Sequence, residues 1–462
     1  MASLTSLLYT ARDALAAQSF GVSVTGQNIA NVNTPGYTRR EAILETHALG
    51  NQTTGSISIA GLKRASDVYT ERRHFESSGL AAAAGERDNQ LASVESLFND
   101  MAGGGLGSSL DALFNSFSAL STNPSDPSAR AAVLERAQAF ATRANETGDA
   151  LGTTRDAMFQ QARETTAEVN QRATAVANLN RRIAEAEAGG HDAADLKDQR
   201  NQVLLGLAQL VDVRTFQDGS GALVVQASGT TLVEGGTARS LSVDLAADGS
   251  LRLFAQRGNS QPSEITQFLT GGKLAGIREA RDVDLKAISA KLDDFVTDVA
   301  TALNAQHAAG FGLDGSAGRN LFSFTTGAGA ARTLALDSSV AGQPRNIAAA
   351  GSAASLPGGS DNAAALFKLG SSNVATGNTR SPMAAYSDIV GEVGSRKSQA
   401  SEAVAIRDSL LAQAEAMRES VSGVSLDEEM IALTKYQRAY DAASRVLRTV
   451  DEMLQELMAR LG

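Results

Sequence analysis

Cysteine and tryptophan are absent from this chain of 462 residues. Without cysteine there can be no disulfide, no thiolate-held metal and no thiol nucleophile. Histidine is scarce: His47, His74, His191 and His307 lie far apart in sequence, and none stands at the spacing that metal ligands use. No apolar run approaches the roughly 20 residues that cross a bilayer. The N-terminus also lacks a basic region followed by an apolar stretch and a cleavage site, so export by the Sec route is not expected. Acidic residues outnumber basic ones by 51 to 41, for a formal charge of −10. The basic pairs Arg39-Arg40, Arg72-Arg73 and Arg181-Arg182 read as solvated positions, which leaves no electrostatic footprint for nucleic acid or an anionic membrane.

Catalytic signatures are missing too. The glycines from Gly103 to Gly107 are not followed by Gly-Lys-Ser/Thr, no strand leads into Gly-x-Gly-x-x-Gly, and no Gly-x-Ser-x-Gly elbow occurs. Asp314-Gly315 lacks the alternating oxygen ligands and closing Glu of a calcium loop, and reads as a turn. The expectation is a protein that is not an enzyme and holds no cofactor or metal.

What the chain does have is a helical seam at each end. Leu4, Leu8, Ala11, Leu15, Gln18, Val22, Thr25 and Ile29 recur in steps of four and three, a heptad pattern. Asn28, Asn31 and Asn33 then compete for backbone hydrogen bonds, and Thr34-Pro35-Gly36-Tyr37 makes a turn in which Pro35 fixes φ and Gly36 is free to take φ > 0. At the other end Ser425 to Glu428 reads as a capping box. The helix it opens repeats Leu426, Met430, Leu433, Gln437, Tyr440, Ala443, Leu447, Val450, Leu454, Leu457 and Leu461. Periodicity alone allows two readings equally: coiled-coil-like helices awaiting partners, or amphipathic helices on one globular core.

Between the seams the pattern is mostly helical. Residues 80–101, with Leu91, Val94, Leu97, Phe98 and Met101 on one face, form a helix ended by the glycines from Gly103; another carries Leu106 to Leu120. Asp126 caps a third with Pro127 at its first position, running through Ala144. A long heptad helix is expected from about Thr154 to Ala188, broken at Gly189-Gly190 and answered by Leu196 to Leu210 in a helical hairpin. From about 211 to 256 the period becomes alternating, with turns at Asp218-Gly219, Gly235-Gly236 and Asp248-Gly249, which gives a small antiparallel β insertion. Helix resumes from Leu274 to Leu303. Residues 323–360, rich in Gly, Ala and Ser, read as a linker.

Two of these segments carry a resemblance. ANVNTPGYTRR and SGVSLDEEMIALTKYQRAYDAASRVLRTVDEMLQELM are similar to the N- and C-terminal signatures of the bacterial flagellar rod, hook and hook-associated proteins. NPSDPSARAAVLERAQ (Asn123 to Gln138), DLKDQRNQVLLGLAQLVDV (Asp195 to Val213) and LNAQHAAGFGLDGSAGRNLF (Leu303 to Phe322) resemble the hook–filament junction family within that group. The resemblance covers most of the chain outside about 323–360.

It implies a mainly α protein with a small antiparallel β insertion. Residues 1–60 with 420–462 would form an inner polymerisation domain of coiled-coil-like helices, and 61–322 with 361–419 a long-helix bundle. The outer β domain of larger members would be reduced to a remnant at 323–360, or absent. The function implied is that of a structural subunit at the distal end of the hook, connecting it to the filament. Its partners would be further copies of itself, the hook protein, the second junction protein and an export chaperone, with no nucleic acid or membrane. It would be located extracellularly on the flagellum after type III export. The residues expected to carry assembly are Asn28, Asn31, Asn33, Pro35, Gly36 and Tyr37 in the turn, and Leu426, Leu433, Tyr440, Leu447, Val450, Leu454 and Leu457 on the C-terminal helix. A hook or distal rod subunit, or a flagellum-exported hydrolase or adhesin, stands as the alternative.

Overall fold

The computed structural model describes residues 4–48, 55–98, 104–190, 192–219 and 221–461. Helix α1 (Leu4–Ala30) leads into a β-hairpin of β1 (Arg40–Ala48) and β2 (Gly55–Arg64). Helices α2 (Val68–Ser96), α3 (Leu106–Thr122), α4 (Pro127–Ala188) and α5 (Ala194–Ala208) follow. The fold is mainly α with small antiparallel sheets. The expected positions Met101, Gly103 and His191 lie outside the described residues.

The Asp126 side chain accepts from the Ser128 amide at 2.8 Å, and Pro127 occupies the first turn of α4. Once started, α4 does not stop near Ala144. It runs unbroken for 62 residues, roughly 90 Å at the helical rise. The separate helix expected from Thr154 is therefore the second half of one element. Gly148 and Gly152, which lower helix propensity there, leave room for Ala331 and Arg332: a Cβ on Gly148 would lie 2.7 Å from Arg332 Cγ. Close packing outweighs the roughly 1 kcal/mol each glycine costs.

The β insertion is two sheets and extends past its expected end at 256. Strands β3 (Val213–Gln217), β4 (Leu223–Ala227), β5 (Thr230–Glu234) and β6 (Thr237–Ala238) form the first. Strands β7 (Ser240–Leu245), β8 (Leu251–Gln256) and β9 (Ser263–Glu264) form the second. Alternate residues of β8, Leu251, Leu253 and Ala255, point into the core.

Helix α6 (Gly272–Glu279) passes through a π-helical turn, Ala280–Leu285, into α7 (Lys286–Ala309). The wider turn brings both Arg281 and Asp284 inside. Asp284 is fully buried and accepts from Arg87 Nε and Nη2 at 2.7 and 2.9 Å and from Arg396 Nη1 at 2.8 Å. It thereby ties α2 to the helix that carries Arg396.

The linker reading of residues 323–360 is corrected. Strand β10 (Phe322–Ser323), helix α8 (Ala330–Thr333) and strand β11 (Ala335–Leu336) lie here, and Ala331, Leu334, Val340, Ile347 and Ala349 join the main core. Small side chains gave this segment a polar, flexible look, but they let its backbone lie close against its neighbours. Arg130 of α4 is 1% exposed and donates from Nη1 to Ile347 O at 2.6 Å. His307 of α7 completes the attachment: one ring nitrogen, Nδ1, lies 2.7 Å from Arg319 O, and Nε2 accepts from the Ala348 amide at 3.0 Å. These partners require the neutral ring with its proton on Nδ1.

Helices α9 (Asp361–Leu369), α10 (Pro382–Ser422) and α11 (Leu426–Leu461) complete the chain. Lys397 of α10 pairs with Asp88 of α2 at 2.8 Å, and α10 runs along α2 to the base of the bundle. One contiguous apolar core extends from Phe75 to Val393. The buried apolar residues of α1 and α11 are not part of it.

Burial holds the His307 pKa below its ordinary value, and does the same for His74. Both groups favour the neutral folded state, so their contribution is complete above about pH 6.5 and falls as the pH drops toward the lowered folded values. His307→Asn keeps a donor toward Arg319 but strands the Ala348 amide. It should cost about 1–3 kcal/mol at pH 7, and flatten the loss of stability below pH 6.5 to the part His74 supplies, as read by denaturant melts from pH 5 to 8.

Candidate assembly site

Helices α1 and α11 pack antiparallel. Gly21 meets Tyr436 and, farther along, Asn28 meets Glu429. On α1 the buried row is Ala17, Gly21, Val24 and Asn28, which runs beside the expected seam. Of that seam Ala11 and Thr25 are buried, while Leu4, Leu8, Leu15, Gln18, Val22 and Ile29 are half-buried. The small residues decide which row faces the partner. A Cβ on Gly21 would lie 2.6 Å from the Tyr436 ring, so only glycine admits this approach.

The C-terminal positions share one seam but differ in exposure along it. Val450 is buried, and Leu433, Leu447 and Leu454 are half-buried, whereas Leu426, Tyr440 and Leu457 are exposed. Met430, Ile431, Met453 and Met458 are exposed beside them. The seam of α11 is covered by α1 only in part, and large apolar side chains along it and around it stay open. The helix start also differs from a full capping box. The Glu428 amide donates to Ser425 Oγ at 3.5 Å, but the Glu428 carboxylate turns to Arg39 at 3.3 Å.

The turn after α1 separates its residues by role. Asn28 is 1% exposed. Its Nδ2 donates to Arg40 O at 2.9 Å and to Glu429 Oε2 at 3.0 Å, and its Oδ1 accepts from Tyr37 Oη at 2.9 Å and the Arg40 amide at 3.0 Å. Gly36 has φ +78°, and this left-handed bend swings Tyr37 back toward Asn28. Asn31 stays local, donating to Gln27 O and accepting from Thr34 Oγ1. Asn33 and Pro35 are exposed, on the rim of a cleft shared with Arg418 and Val424. Burial raises the Tyr37 pKa, keeping its hydroxyl a donor at neutral pH.

Charged residues to which the sequence assigned no role complete the site. Arg39 and Arg40 are not solvated: their consecutive side chains leave the start of β1 in opposite directions. Arg39 Nε donates to the buried Glu429 at 2.7 Å, and the Arg39 amide donates to Ser422 O at the end of α10. The Arg40 guanidinium lies over the Tyr37 ring, 4.9 Å from its centre, and pairs with Asp195 and Asp198 of α5. Asp198 also accepts from Arg64 Nη2 of β2 at 2.7 Å. Asp195 and Asp198, three apart on one helical face, were the available signal. The segments TGQNIANVNTPGYTRR, SGVSLDEE and DLKDQRN thus meet at one hydrogen-bonded point. It joins both terminal helices to the helical body.

Among the described residues no group of three or more His, Asp or Glu side chains is placed to hold a metal ion, and no helix is long and apolar enough to cross a membrane.

The family model described as the flagellar hook-associated protein FlgK helical domain matches residues 91–322, half of the chain. The chain belongs to the flagellar hook-associated protein FlgK family. The two ends match separate flagellar models: the flagella basal body rod protein at 8–38 and the flagellar basal body rod FlgEFG protein C-terminal region at 418–461. Flagellar hook-associated protein 1 of Bacillus subtilis is 27% identical over 98% of both chains. That of Salmonella typhimurium is 26% identical over 98% of this chain and 100% of its own. The fold is similar to that of the flagellar hook junction protein FlgK from Burkholderia pseudomallei, with a TM-score of 0.68 at 16% identity, covering 76% of this chain and 100% of that one. Membership of the FlgK family makes the chain a structural protein of the flagellum. The two rod-type matches contain the residues that meet, Asn28 in one and Glu429 in the other.

Replacing Asn28 by Leu would strand the Arg40 amide and carbonyl and part of the Glu429 carboxylate in a buried place. The expected cost is about 3–5 kcal/mol, confined to the attachment of the termini. Amide exchange in α1 and α11 should accelerate while α4 and α7 keep their protection. Gly36→Val should give a weaker form of the same effect, about 1–2 kcal/mol, because Gln202 can rotate away but the positive φ cannot be relieved.

Proposed function

We propose that this chain is a hook–filament junction subunit, polymerising at the distal end of the hook and linking it to the filament. The observation that carries the reading is the number of large apolar side chains that α11 leaves open along and around the seam covered by α1: Leu426, Met430, Ile431, Tyr440, Met453, Leu457 and Met458. A soluble subunit does not otherwise keep so many large apolar side chains in water along one helix. Repetition of one surface against a different one on the next copy builds a ring or helical layer.

In this reading residues 1–60 with 420–462 are the inner polymerising part. The bundle of 61–322 with 361–419 is the outer layer, and 323–360 is what remains of a larger outer domain. The partners are further copies, the hook protein, the second junction protein and an export chaperone for the C-terminal helix. Neither nucleic acid nor membrane is a partner. The chain works outside the cell as a structural, non-enzymatic part, exported without a cleaved signal peptide. The names of its relatives, hook-associated and hook junction protein, support this placement.

Ile431→Asp and Met458→Asp change residues that are 72% and 75% exposed, so the isolated monomer should keep its stability within about 0.5 kcal/mol. Both should abolish filament attachment, because assembly would bury the new charge unpaired. Val450→Asp, on the covered face, should instead loosen the α1–α11 pair in the monomer. Cells that export Ile431→Asp and Met458→Asp at normal levels and still grow attached filaments would exclude these open side chains as the assembly surface.

A further inference from the structure

Between the β1–β2 hairpin, α2, α5 and β3 lies a cavity of about 340 Å³. Its rim is apolar, made by Ile43, Leu62 and Val68, and its wall holds charged groups that differ in how they are satisfied. Arg64 is paired with Asp198 and Glu71, and Glu71 also accepts from Asn201. Lys197 is paired with Glu187. Arg200 has no such partner. Its Nη1 donates to Asn180 Oδ1 at 3.0 Å, its Nε is buried without a hydrogen bond, and among the described residues no carboxylate lies within ion-pair distance of it. Burial, with Arg64 nearby, pushes its pKa down to about 10, so it is still a cation at neutral pH.

A guanidinium offers five donors in a planar fork that matches a carboxylate in two-point contact. Withdrawing that fork from water with one acceptor, and with Glu71 and Glu187 acting on it only from beyond ion-pair distance, is unfavourable. We propose that this cavity binds a carboxylate group, seated on Arg200 beneath the apolar rim. Among the described residues, Arg200 is the one charged residue of the lining with a buried side-chain nitrogen that makes no hydrogen bond, and Glu71 and Asp192 in the same lining oppose a doubly charged phosphate. The rim suits the aliphatic part that precedes a carboxylate. Two sources share this chemistry: a small organic acid in solution, or an acidic side chain of a neighbouring copy. The second rests on the assembly reading above and draws on the acidic surplus of every copy.

The test uses the full-length monomer, with melting measured in sodium butyrate, acetate and chloride at equal ionic strength. Butyrate at tens of millimolar should raise the melting temperature by roughly 1–2 °C over chloride. Arg200→Met should abolish that rise and, in chloride, melt at or above the unmodified protein, since it removes a cation with no carboxylate at ion-pair distance and a buried Nε without a hydrogen bond. Arg200→Lys should keep a reduced rise. Equal responses of the unmodified protein and Arg200→Met would overturn the proposal, as would no carboxylate-specific rise together with a loss of stability of Arg200→Met in chloride. Should Arg200→Met fail to fold, arginine Nε–H resonances decide: a saturable shift of one resonance with butyrate supports the site, and no shift overturns it. In assembled protein, loss of the butyrate response identifies a neighbour's acid as occupant, and its persistence identifies a free acid. Failure in the monomer leaves the assembly reading untouched.

Discussion

The side-chain amide of Asn28 fixes how the ends of this chain meet its body. Both its donors and two acceptor positions are used, and each partner comes from a different stretch: the turn, the first residue of β1, and the first turn of α11. By taking both the amide and the carbonyl of Arg40, Asn28 stands in for a neighbouring strand at the point where β1 begins. Aspartate has the same shape, but it has no donor and would set a second negative charge against Glu429. Few other side chains could bring together a helix end, a strand start and a second helix 400 residues away in sequence.

From that amide outward, charges alternate. Glu429 faces Arg39; on the other side Arg40 faces Asp195 and Asp198, Asp198 faces Arg64, and Arg64 faces Glu71. Partly buried pairs of this kind add little net stability, since desolvation offsets most of the attraction. What they do supply is geometry, because a displaced partner leaves a buried charge uncompensated. The apolar core ends before this region, and α1 packs instead on α11 and on the β1–β2 hairpin, where Ser56 Oγ donates to Asp13 at 2.6 Å. Stability therefore resides in the bundle, and specificity of attachment resides in the polar chain.

Helices, their heptad steps and the β insertion were legible because periodicity and turn residues are local signals. Three things were not. The continuity of α4 depends on Arg332 and Ala331 filling the space beside Gly148, a contact between residues far apart in sequence. The folding of 323–360 depends on Arg130 and His307, which lie outside it. The polar site was half visible: Asn28, Gly36 and Tyr37 stand out as turn chemistry, but Arg39, Arg40, Asp198 and Glu429 look like ordinary surface charges until the chain folds. Heptad spacing also could not say which of two adjacent rows on α1 would be covered, because that choice belongs to Tyr436 and the absence of a side chain at Gly21.

A joint made of directional bonds behaves differently under load from one made of apolar contact. Side chains in a hydrophobic interface slide past one another and lose attraction gradually, whereas a hydrogen bond weakens steeply once its angle falls toward 120°. The connection between the terminal helices and the bundle is almost wholly of the second kind. It is therefore stiff against small rotations and yields abruptly beyond them. In a rotating assembly, such a joint would transmit torque from the helix pair to the 62-residue strut of α4 with little creep.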